Sequence, residues 1–277
     1  MQYEIQGSTI IIGNKLDFNP KHILECGQIF RFNINARGNY EVYSKEYKAE
    51  IVETETGYEI LSASPEYFID FFNLKTDYAN IKHQISDFSP VIKSATELAY
   101  GLRILKGDLF EIIVSFIISA NNNIKRIKNI INRLCEAKGR DMGGYFSFPT
   151  VEDFKGMDET FFSKIGTGYR AKYLSEVAEA YSLLIKEDLS AMSDVMLRKR
   201  LMKIKGVGPK VADCIMLFAF NRTSAFPVDV WMERVYYENF GSAPKSRPEI
   251  SAELSDRFGD LAGFVQQYLF YSKIVKS

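Results

Sequence analysis

The sequence predicts an α+β fold, with a small antiparallel β-sheet first and a mostly helical region after it. Before Pro65, apolar and polar residues alternate, and β-branched and aromatic side chains are frequent, which is typical of strands. After Pro65 the apolar residues recur at helical spacing. We therefore predict an N-terminal antiparallel β domain over residues 1–88 and an α-helical region over residues 89–277.

Short segments separated by turns define the individual elements. Turn signals at Arg37-Gly38-Asn39 and Thr56-Gly57 separate strands and indicate hairpins. The predicted strands are TIIIG, QIFRFNI, NYEVYS, KAEIVET and GYEIL. The predicted helices are PEYFIDFFNL, LFEIIVSFIISA, IKRIKNIINRLCEAK, YRAKYLSEVAEAYSLLIK, MLRKRLMKI, VADCIMLFAF, VWMERVYYENF and LAGFVQQYLFYSK.

The composition excludes several classes of protein. A 46% hydrophobic share excludes a disordered chain, and three cysteines without a CxxC pair indicate neither a zinc or iron–sulfur site nor a disulfide framework. Only two histidines are present, which argues against histidine-based catalysis. No apolar run reaches membrane-spanning length, and no signal peptide is recognisable. We expect a soluble, cytoplasmic protein without a metal or membrane partner.

Charge is segregated along the chain although the formal net charge is zero. Residues 195–210 contain six basic residues and no acidic residue, and residues 121–140 are basic apart from Glu136. The net charge offers no argument for a nucleic-acid partner, but these two segments do.

The first of these segments contains a turn between two helices, and the pattern predicts a helix-hairpin-helix near residues 197–218. Gly206 and Gly208 permit positive φ and leave backbone amides uncovered, and Val207 would fill the space between the helices. Free amides at a helix N-terminus bind a phosphate, so the hairpin pattern predicts binding to the phosphate backbone of DNA, independent of the base sequence.

Lys210 directly follows this hairpin, at the start of an apolar helix. The helix dipole and partial desolvation disfavour an ammonium group there, and a neutral amine can attack an electrophilic sugar carbon. Nineteen residues later, Asp229 stands in AFPVDVWMERV, where a helix N-cap is expected. Taken alone, Lys210 could be a solvated lysine and Asp229 only a cap.

The segments GVGPKVADC and PVDV resemble the HhH-GPD superfamily of base-excision DNA glycosylases, and more closely the 8-oxoguanine DNA glycosylase/AP lyase family. The resemblance implies that Lys210 is the nucleophile and that Asp229 assists it. Five such motifs, in family order, span residues 26 to 270.

Three of these motifs resemble the parts of the family that bind the damaged base. In CGQIFRF, the carbonyl group of Gly27 would accept a hydrogen bond from N7–H of the oxidised base. In GFVQQYLF, Gln266 would read the Watson–Crick edge and Phe270 would stack on the base. Cys214 would lie against the opposite face.

Two further motifs resemble the parts that occupy the gap in the duplex. In SANNNIKR, Asn121 and Arg126 match positions that read the orphaned cytosine, and Asn122 matches an asparagine near the active site. In GYRAKY, Tyr169 would wedge the base stack and Arg170 would read the cytosine.

The sequence departs from the family pattern at two positions. Trp231 stands where the family often has a histidine near a phosphate, and Phe32 stands where it often has a tryptophan. The first departure puts one phosphate or pocket contact in doubt.

The resemblance implies an enzyme that flips 8-oxoguanine out of duplex DNA and excises it, preferably opposite cytosine, with an associated β-elimination lyase activity. It implies no required cofactor and no catalytic metal, although backbone carbonyl groups of the hairpin can hold a structural cation. A monomer is expected, associated with the nucleoid if the source is bacterial or archaeal.

Two alternatives remain. A monofunctional glycosylase of the same superfamily for alkylated bases would keep the aspartate but lack the lysine. A non-catalytic hairpin module that only binds DNA would require no particular residue at position 210 or 229.

Overall fold

The chain begins with an antiparallel sheet and continues as a bundle of helices, as predicted. The structure is a computed structural model, and it describes residues 2–275. The sheet has six strands in the order β1-β2-β6-β5-β4-β3. They are β1 Glu4–Gln6, β2 Thr9–Ile12, β3 Phe32–Ile34, β4 Tyr40–Ser44, β5 Tyr47–Glu53 and β6 Tyr58–Leu61.

Two details of the sheet differ from the predicted strands. Strand β1 was not predicted, because it is an edge strand whose residues are all exposed and which therefore has no apolar face. The segment QIFRFNI forms a strand only from Phe32, although the carbonyl oxygen of Arg31 still accepts from the amide of Tyr43 on β4. The buried side chains of Gln28 and Arg31 instead donate to backbone carbonyl groups in other parts of the chain.

Fourteen α-helices lie within residues 2–275. Several begin at the polar caps that their sequences predict, such as Asp108 before α5 and Asn123 before α6. They are α1 Pro20–Leu24, α2 Pro65–Phe71, α3 Tyr78–Ser86, α4 Pro90–Leu98, α5 Leu109–Ser119, α6 Ile124–Lys138, α7 Val151–Lys155, α8 Glu159–Lys164, α9 Ala171–Leu184, α10 Asp194–Leu201, α11 Pro209–Ala219, α12 Val230–Asn239, α13 Arg247–Phe258 and α14 Ala262–Val275. Short 3-10 helices cover Gly168–Arg170 and Gly259–Leu261.

Two hydrophobic cores correspond to the two parts of the fold. One lies between the sheet and α2, and the other lies among the helices, with α5 and α11 packed at its centre. Every residue from Phe110 to Ile118 of α5 is buried. This helix therefore forms the base on which the functional residues of α11 rest.

A buried ion pair joins the sheet to the helices. The guanidinium group of Arg31 lies 3.3 Å from a carboxylate oxygen of Glu111 on α5, and the two side chains are only 5% and 6% exposed. Arg31 also donates to the carbonyl oxygen of Phe146 at 2.7 Å, and Glu111 accepts from the amide of Lys45 at 2.7 Å. Burial raises the pKa of Glu111, and Arg31 opposes that shift. Each buried charge is therefore compensated by the other and by hydrogen bonds of this kind.

We expect Arg31→Met to lower the free energy of unfolding by about 3–5 kcal/mol, because the carboxylate of Glu111 would stay buried without its partner. Urea unfolding at neutral pH measures the change. Lys75→Met is the matched control, since Lys75 pairs with Asp70 at 2.9 Å but both side chains are more than 60% exposed. That substitution should cost less than about 1 kcal/mol. Equal losses in the two variants would contradict this account of the interface.

Candidate active site

The predicted hairpin connects α10 to α11, and its glycines have a steric role. Gly206 has a φ of +88°, and a Cβ atom on it would lie 2.9 Å from the ring of Tyr173. Val207 is buried between the helices, and its amide donates to the carbonyl oxygen of Ile204 at 3.0 Å. Gly208 occupies the N-cap of α11 without a side-chain cap and faces open space. The first amides of α11 are thus left for an external anion.

Part of the positive charge before the hairpin is neutralised within the chain. Arg198 contacts both carboxylate oxygens of the buried Asp213, at 2.6 and 3.1 Å. In the same way Arg200 pairs with a glutamate, Glu187, at 2.6 Å. Lys205 also lies 2.6 Å from a glutamate on α9. The segment therefore presents less positive charge to a partner than its sequence indicates.

Lys210 lies in the first turn of α11, half-buried above an aromatic surface. Its Nζ is 5.2 Å from the centre of the Phe116 ring. That ring is buried and stacks on Phe218 with 5.4 Å between centroids. An aromatic face attracts a cation, so Phe116 restrains the position of the Lys210 side chain.

Asp229 caps α12, as its sequence position predicts. Its Oδ1 accepts hydrogen bonds from the amides of Trp231 at 2.9 Å and Met232 at 3.0 Å. Both bonds use the same oxygen, and they hold the carboxylate in one direction. The cap thus leaves Oδ2 able to interact with a positive charge beside it.

Cys214 connects Lys210 and Asp229 electrostatically. Burial raises the pKa of the Cys214 thiol to about 11, against the opposing effect of the charge of Lys210 and a hydrogen bond with it. The charge of Asp229 also acts on the thiol, in the same direction as burial. Lys210 therefore contacts Cys214, and the thiol stays protonated at neutral pH.

Gly27 and Phe270 meet although they are far apart in the sequence. Gly27 has a φ of +78°, a conformation that favours glycine, and a Cβ atom there would lie 3.7 Å from the ring of Phe270. Gln28 fixes the loop: its side chain donates to the carbonyl oxygens of Ile23 at 2.9 Å and Arg103 at 2.7 Å. The loop of the first domain therefore borders the last helix.

Gln266 is buried on α14, one turn before Phe270. Its Oε1 accepts a hydrogen bond from Nε2 of Gln267 at 2.6 Å. Gly27, Cys214, Gln266 and Phe270 are thus contributed by three separate segments, the loop, α11 and α14.

Arg170 and Tyr169 clamp the loop that precedes α6. The buried guanidinium group of Arg170 donates to the carbonyl oxygens of Ala120 at 2.9 Å and Asn121 at 3.0 Å. It also lies 4.4 Å from the centre of the Tyr169 ring. Tyr169 is 55% exposed, and its hydroxyl group donates to the carbonyl oxygen of Ala120 at 3.3 Å. A large aromatic ring therefore projects from a rigid base.

The three asparagines before α6 have different environments. Only Asn123 caps the helix, accepting from the amide of Arg126 at 2.9 Å. Asn122 donates to the carbonyl oxygen of Ile118 at 3.2 Å, whereas Asn121 is exposed with a φ of +49°. Helix capping thus explains the presence of only one of the three asparagines. Arg126 is exposed and reaches the carbonyl oxygen of Gly166 at 3.3 Å.

The two departures from the family pattern lie in different environments. Trp231 is half-buried beside Asp229, and the guanidinium group of Arg234 lies 5.1 Å from its ring. Phe32 is buried, with Nζ of Lys128 from α6 3.5 Å from the ring centre. Phe32 therefore contributes to packing between the sheet and α6.

Phe116, Gln28 and Gln267 were not among the predicted site residues. All nine positions from 110 to 118 are buried, so no pattern distinguishes Phe116 within α5. Gln28 and Gln267 directly follow predicted site residues, Gly27 and Gln266, and nothing else in the sequence indicates that they belong to the site.

Residues 2–275 contain neither a side-chain cluster suited to a metal ion nor a membrane-spanning helix. No group of three or more histidine, cysteine, aspartate or glutamate side chains is placed to hold a metal ion. Within the same range, no helix is both long enough and apolar enough to span a membrane.

Comparisons with known proteins agree with this geometry. The 8-oxoguanine DNA glycosylase N-terminal domain matches residues 10–113, and the HhH-GPD superfamily of base excision DNA repair proteins matches residues 114–259. A Saccharomyces cerevisiae N-glycosylase/DNA lyase is 29% identical over 94% of this chain and 85% of its own length. An Arabidopsis thaliana N-glycosylase/DNA lyase is 30% identical over 74% of this chain and 61% of its own.

A solved structure is similar over the whole chain. The Clostridium acetobutylicum 8-oxoguanine glycosylase/lyase, in complex with duplex DNA containing cytosine opposite 8-oxoguanine, has a TM-score of 0.92 and 34% identity. The match covers 100% of this chain and 98% of that one. With both domains matched in order, this chain belongs to the HhH-GPD superfamily of base excision DNA repair proteins and carries the N-terminal domain of the 8-oxoguanine DNA glycosylases.

Proposed function

We propose that this protein excises 8-oxoguanine from duplex DNA and cleaves the strand at the resulting abasic site, so that it is a bifunctional DNA glycosylase and lyase. The observation that carries the proposal is the position of Lys210, an amine held over Phe116 beside Cys214 and Asp229. The names of its relatives, glycosylase/lyase or N-glycosylase/DNA lyase, support the same two activities.

The chemistry follows from the amine. The nitrogen of Lys210 attacks C1′ of the sugar, and the bond from C1′ to the base breaks, with its electron pair leaving on the base. Loss of a proton from nitrogen and opening of the sugar ring give an imine between Lys210 and C1′. Removal of a C2′ proton then expels the 3′ phosphate, which is β-elimination.

Asp229 has an electrostatic role in this mechanism. Positive charge develops on the sugar as the base departs, and a carboxylate of fixed direction stabilises that charge without reorganising. The hydrogen bonds from the amides of Trp231 and Met232 supply the fixed direction. Asp229 also favours transfer of a proton away from the attacking amine.

The damaged base would occupy the space between the Gly27 loop, α11 and α14. Phe270 stacks on one face of the base and Cys214 lies against the other. Guanine and 8-oxoguanine differ at N7, which is an acceptor in guanine and an N–H donor in the oxidised base. The carbonyl group of Gly27 pairs with that donor and opposes the lone pair of guanine. Gln266 reads the Watson–Crick edge.

The unpaired cytosine would contact the surface formed by Asn121, Arg126, Tyr169 and Arg170. Tyr169 fills the gap left by the flipped base, and the arginines donate to the acceptor edge of cytosine. Both arginines now donate to protein carbonyl oxygens, those of Asn121 and Gly166 among them. On binding, the acceptors of cytosine would replace some of these carbonyl oxygens as partners of the two arginines. Asn122 supports the loop through its bond to Ile118.

The remaining assignments concern binding and location. The amides around Gly206, Val207 and Gly208 hold the DNA backbone, and the carbonyl groups of the same hairpin provide a place for a structural cation. The mechanism as written uses no cofactor. Action on duplex DNA would require the protein to be in the compartment that contains the DNA, which is the cytoplasm with its nucleoid if the source is bacterial or archaeal.

Lys210→Gln should abolish base release and covalent trapping by borohydride, because the amide cannot form an imine. Affinity for a duplex with 8-oxoguanine should remain largely unchanged, since the hairpin amides bind the DNA backbone. Gel separation of the trapped complex and electrophoretic mobility measure the two properties. Undiminished trapping by this variant would reject Lys210 as the nucleophile.

Asp229→Asn separates the two roles of this residue. Asparagine is as good an N-cap as aspartate, so the melting temperature should change little. Excision should slow by about 100-fold or more, because the negative charge is lost. Single-turnover kinetics beside a thermal melt test this. A variant that excises normally would show that Asp229 is only a cap.

The preference for the opposite base tests the arginines. The unmodified protein should process 8-oxoguanine opposite cytosine faster than opposite adenine, by about 1–3 kcal/mol for each lost contact. Arg126→Met should reduce this preference more than it reduces total activity. Excision rates on duplexes with each of the four opposite bases measure it, with Lys125→Met as a neighbouring control. Equal rates for the unmodified protein would mean that the arginines contact only phosphates.

A further inference from the structure

Gln267 contains a buried acceptor without a partner. Its side chain is 3% exposed, and its Nε2 donates to Oε1 of Gln266 at 2.6 Å. Its own Oε1 is the one buried side-chain nitrogen or oxygen that has no hydrogen-bond partner among residues 2–275.

Such an atom is costly to the folded protein. A buried amide oxygen that has given up its hydrogen bonds to water costs about 1–3 kcal/mol when nothing replaces them. Nearly all buried polar groups in folded proteins have a partner, and an exception often marks a position where a ligand supplies it.

The position of Gln267 on α14 indicates that this ligand is the flipped base. It lies one turn before Phe270 on α14, and residues three apart share a helix face. Phe270 borders the Gly27 loop at 3.7 Å, measured to the position of a Cβ atom on Gly27. Gln266, which Gln267 contacts directly, is the residue assigned to the Watson–Crick edge. Gln267 therefore adjoins both residues of α14 that are assigned to the flipped base, Gln266 through its hydrogen bond and Phe270 through its place on the helix.

The two amides form a complementary pair of groups. With its Oε1 bound by Gln267, Gln266 has Nε2 as its other hydrogen-bonding group, and this nitrogen is a donor. Oε1 of Gln267 is an acceptor beside it. The Watson–Crick edge of 8-oxoguanine has the opposite arrangement, the O6 acceptor next to the N1–H and 2-amino donors.

We propose that Gln267 is a second base-reading residue, whose Oε1 accepts from the N–H donors of the Watson–Crick edge while Gln266 donates to O6. The proposal rests on the function proposed above. Gln267 also fixes the orientation of Gln266, because its donated hydrogen bond keeps the Gln266 oxygen away from O6. The pair rejects an adenine-type edge, which has an amino donor at C6 and a lone pair at N1.

The test compares 8-oxoguanine with 8-oxoadenine, each opposite cytosine in otherwise identical duplexes. Single-turnover excision is followed with protein in excess. Gln267→Leu should slow excision of 8-oxoguanine by about 10-fold or more, because the edge loses its acceptor. It should leave the slow excision of 8-oxoadenine unchanged or faster. The ratio of the two rates should therefore fall by about 10-fold or more.

Stability provides a second readout that distinguishes reading from packing. Leucine removes the unpaired Oε1 of Gln267 but also removes the donor to the buried Oε1 of Gln266, so the melting temperature of Gln267→Leu should change little. Tyr268→Phe is the matched control, since the Tyr268 hydroxyl group donates to the carbonyl oxygen of Leu102 at 3.3 Å on another face of α14. It should lower the melting temperature and leave the rate ratio unchanged.

Equal losses on both substrates, or an unchanged ratio, would overturn the proposal and would assign Oε1 to packing or to a bound water. A melting temperature lowered by more than that of Tyr268→Phe, together with an unchanged rate ratio, would likewise show that the side chain is structural. If the unmodified protein excises no 8-oxoguanine, the proposed function fails rather than the role of Gln267. The unmodified rate thus separates the two failures.

Discussion

The candidate base pocket depends on one buried amide, that of Gln28, which connects the loop after α1 to the segment before α5. The side chain of Gln28 donates to the carbonyl oxygens of Ile23 and Arg103, and it accepts from the amide of Leu105 at 2.9 Å. These bonds connect the loop of the first domain to the start of the helical region. Because Gly27 precedes Gln28, the same bonds keep its backbone beside Phe270 on α14. The contact between this loop and α14 is therefore the centre of the proposed recognition site.

The reacting groups lie on the other side of that space and depend on burial. Lys210 has an aromatic surface below it and a protonated thiol beside it, and Asp229 is oriented by two amides. In such surroundings a fixed carboxylate interacts strongly with developing charge, because little water screens it. Recognition and chemistry thus come from different elements, the loop and α14 for one and α11 and α12 for the other.

The sequence predicted those structural features that depend on residues close together in the chain. The change from alternating to helical spacing predicted the fold class, which is confirmed, and the turn at Gly206 predicted the hairpin. The sequence did not predict hydrogen bonds and ion pairs between side chains and partners that are far apart in the chain. Gln28 lay within a predicted strand, yet its partners include Arg103 and Leu105. Likewise, the ion pair of Arg198 with Asp213 crosses between helices and could not be anticipated from charge counts. The unpaired acceptor of Gln267 emerges only from packing.

A crystal structure of the Lys210→Gln protein bound to a duplex with 8-oxoguanine opposite cytosine tests the central claim most directly. The account predicts a flipped base stacked between Phe270 and Cys214, with the carbonyl oxygen of Gly27 within about 3 Å of N7. A base that remains in the duplex, or a flipped base whose N7 is bound by another group, would contradict it.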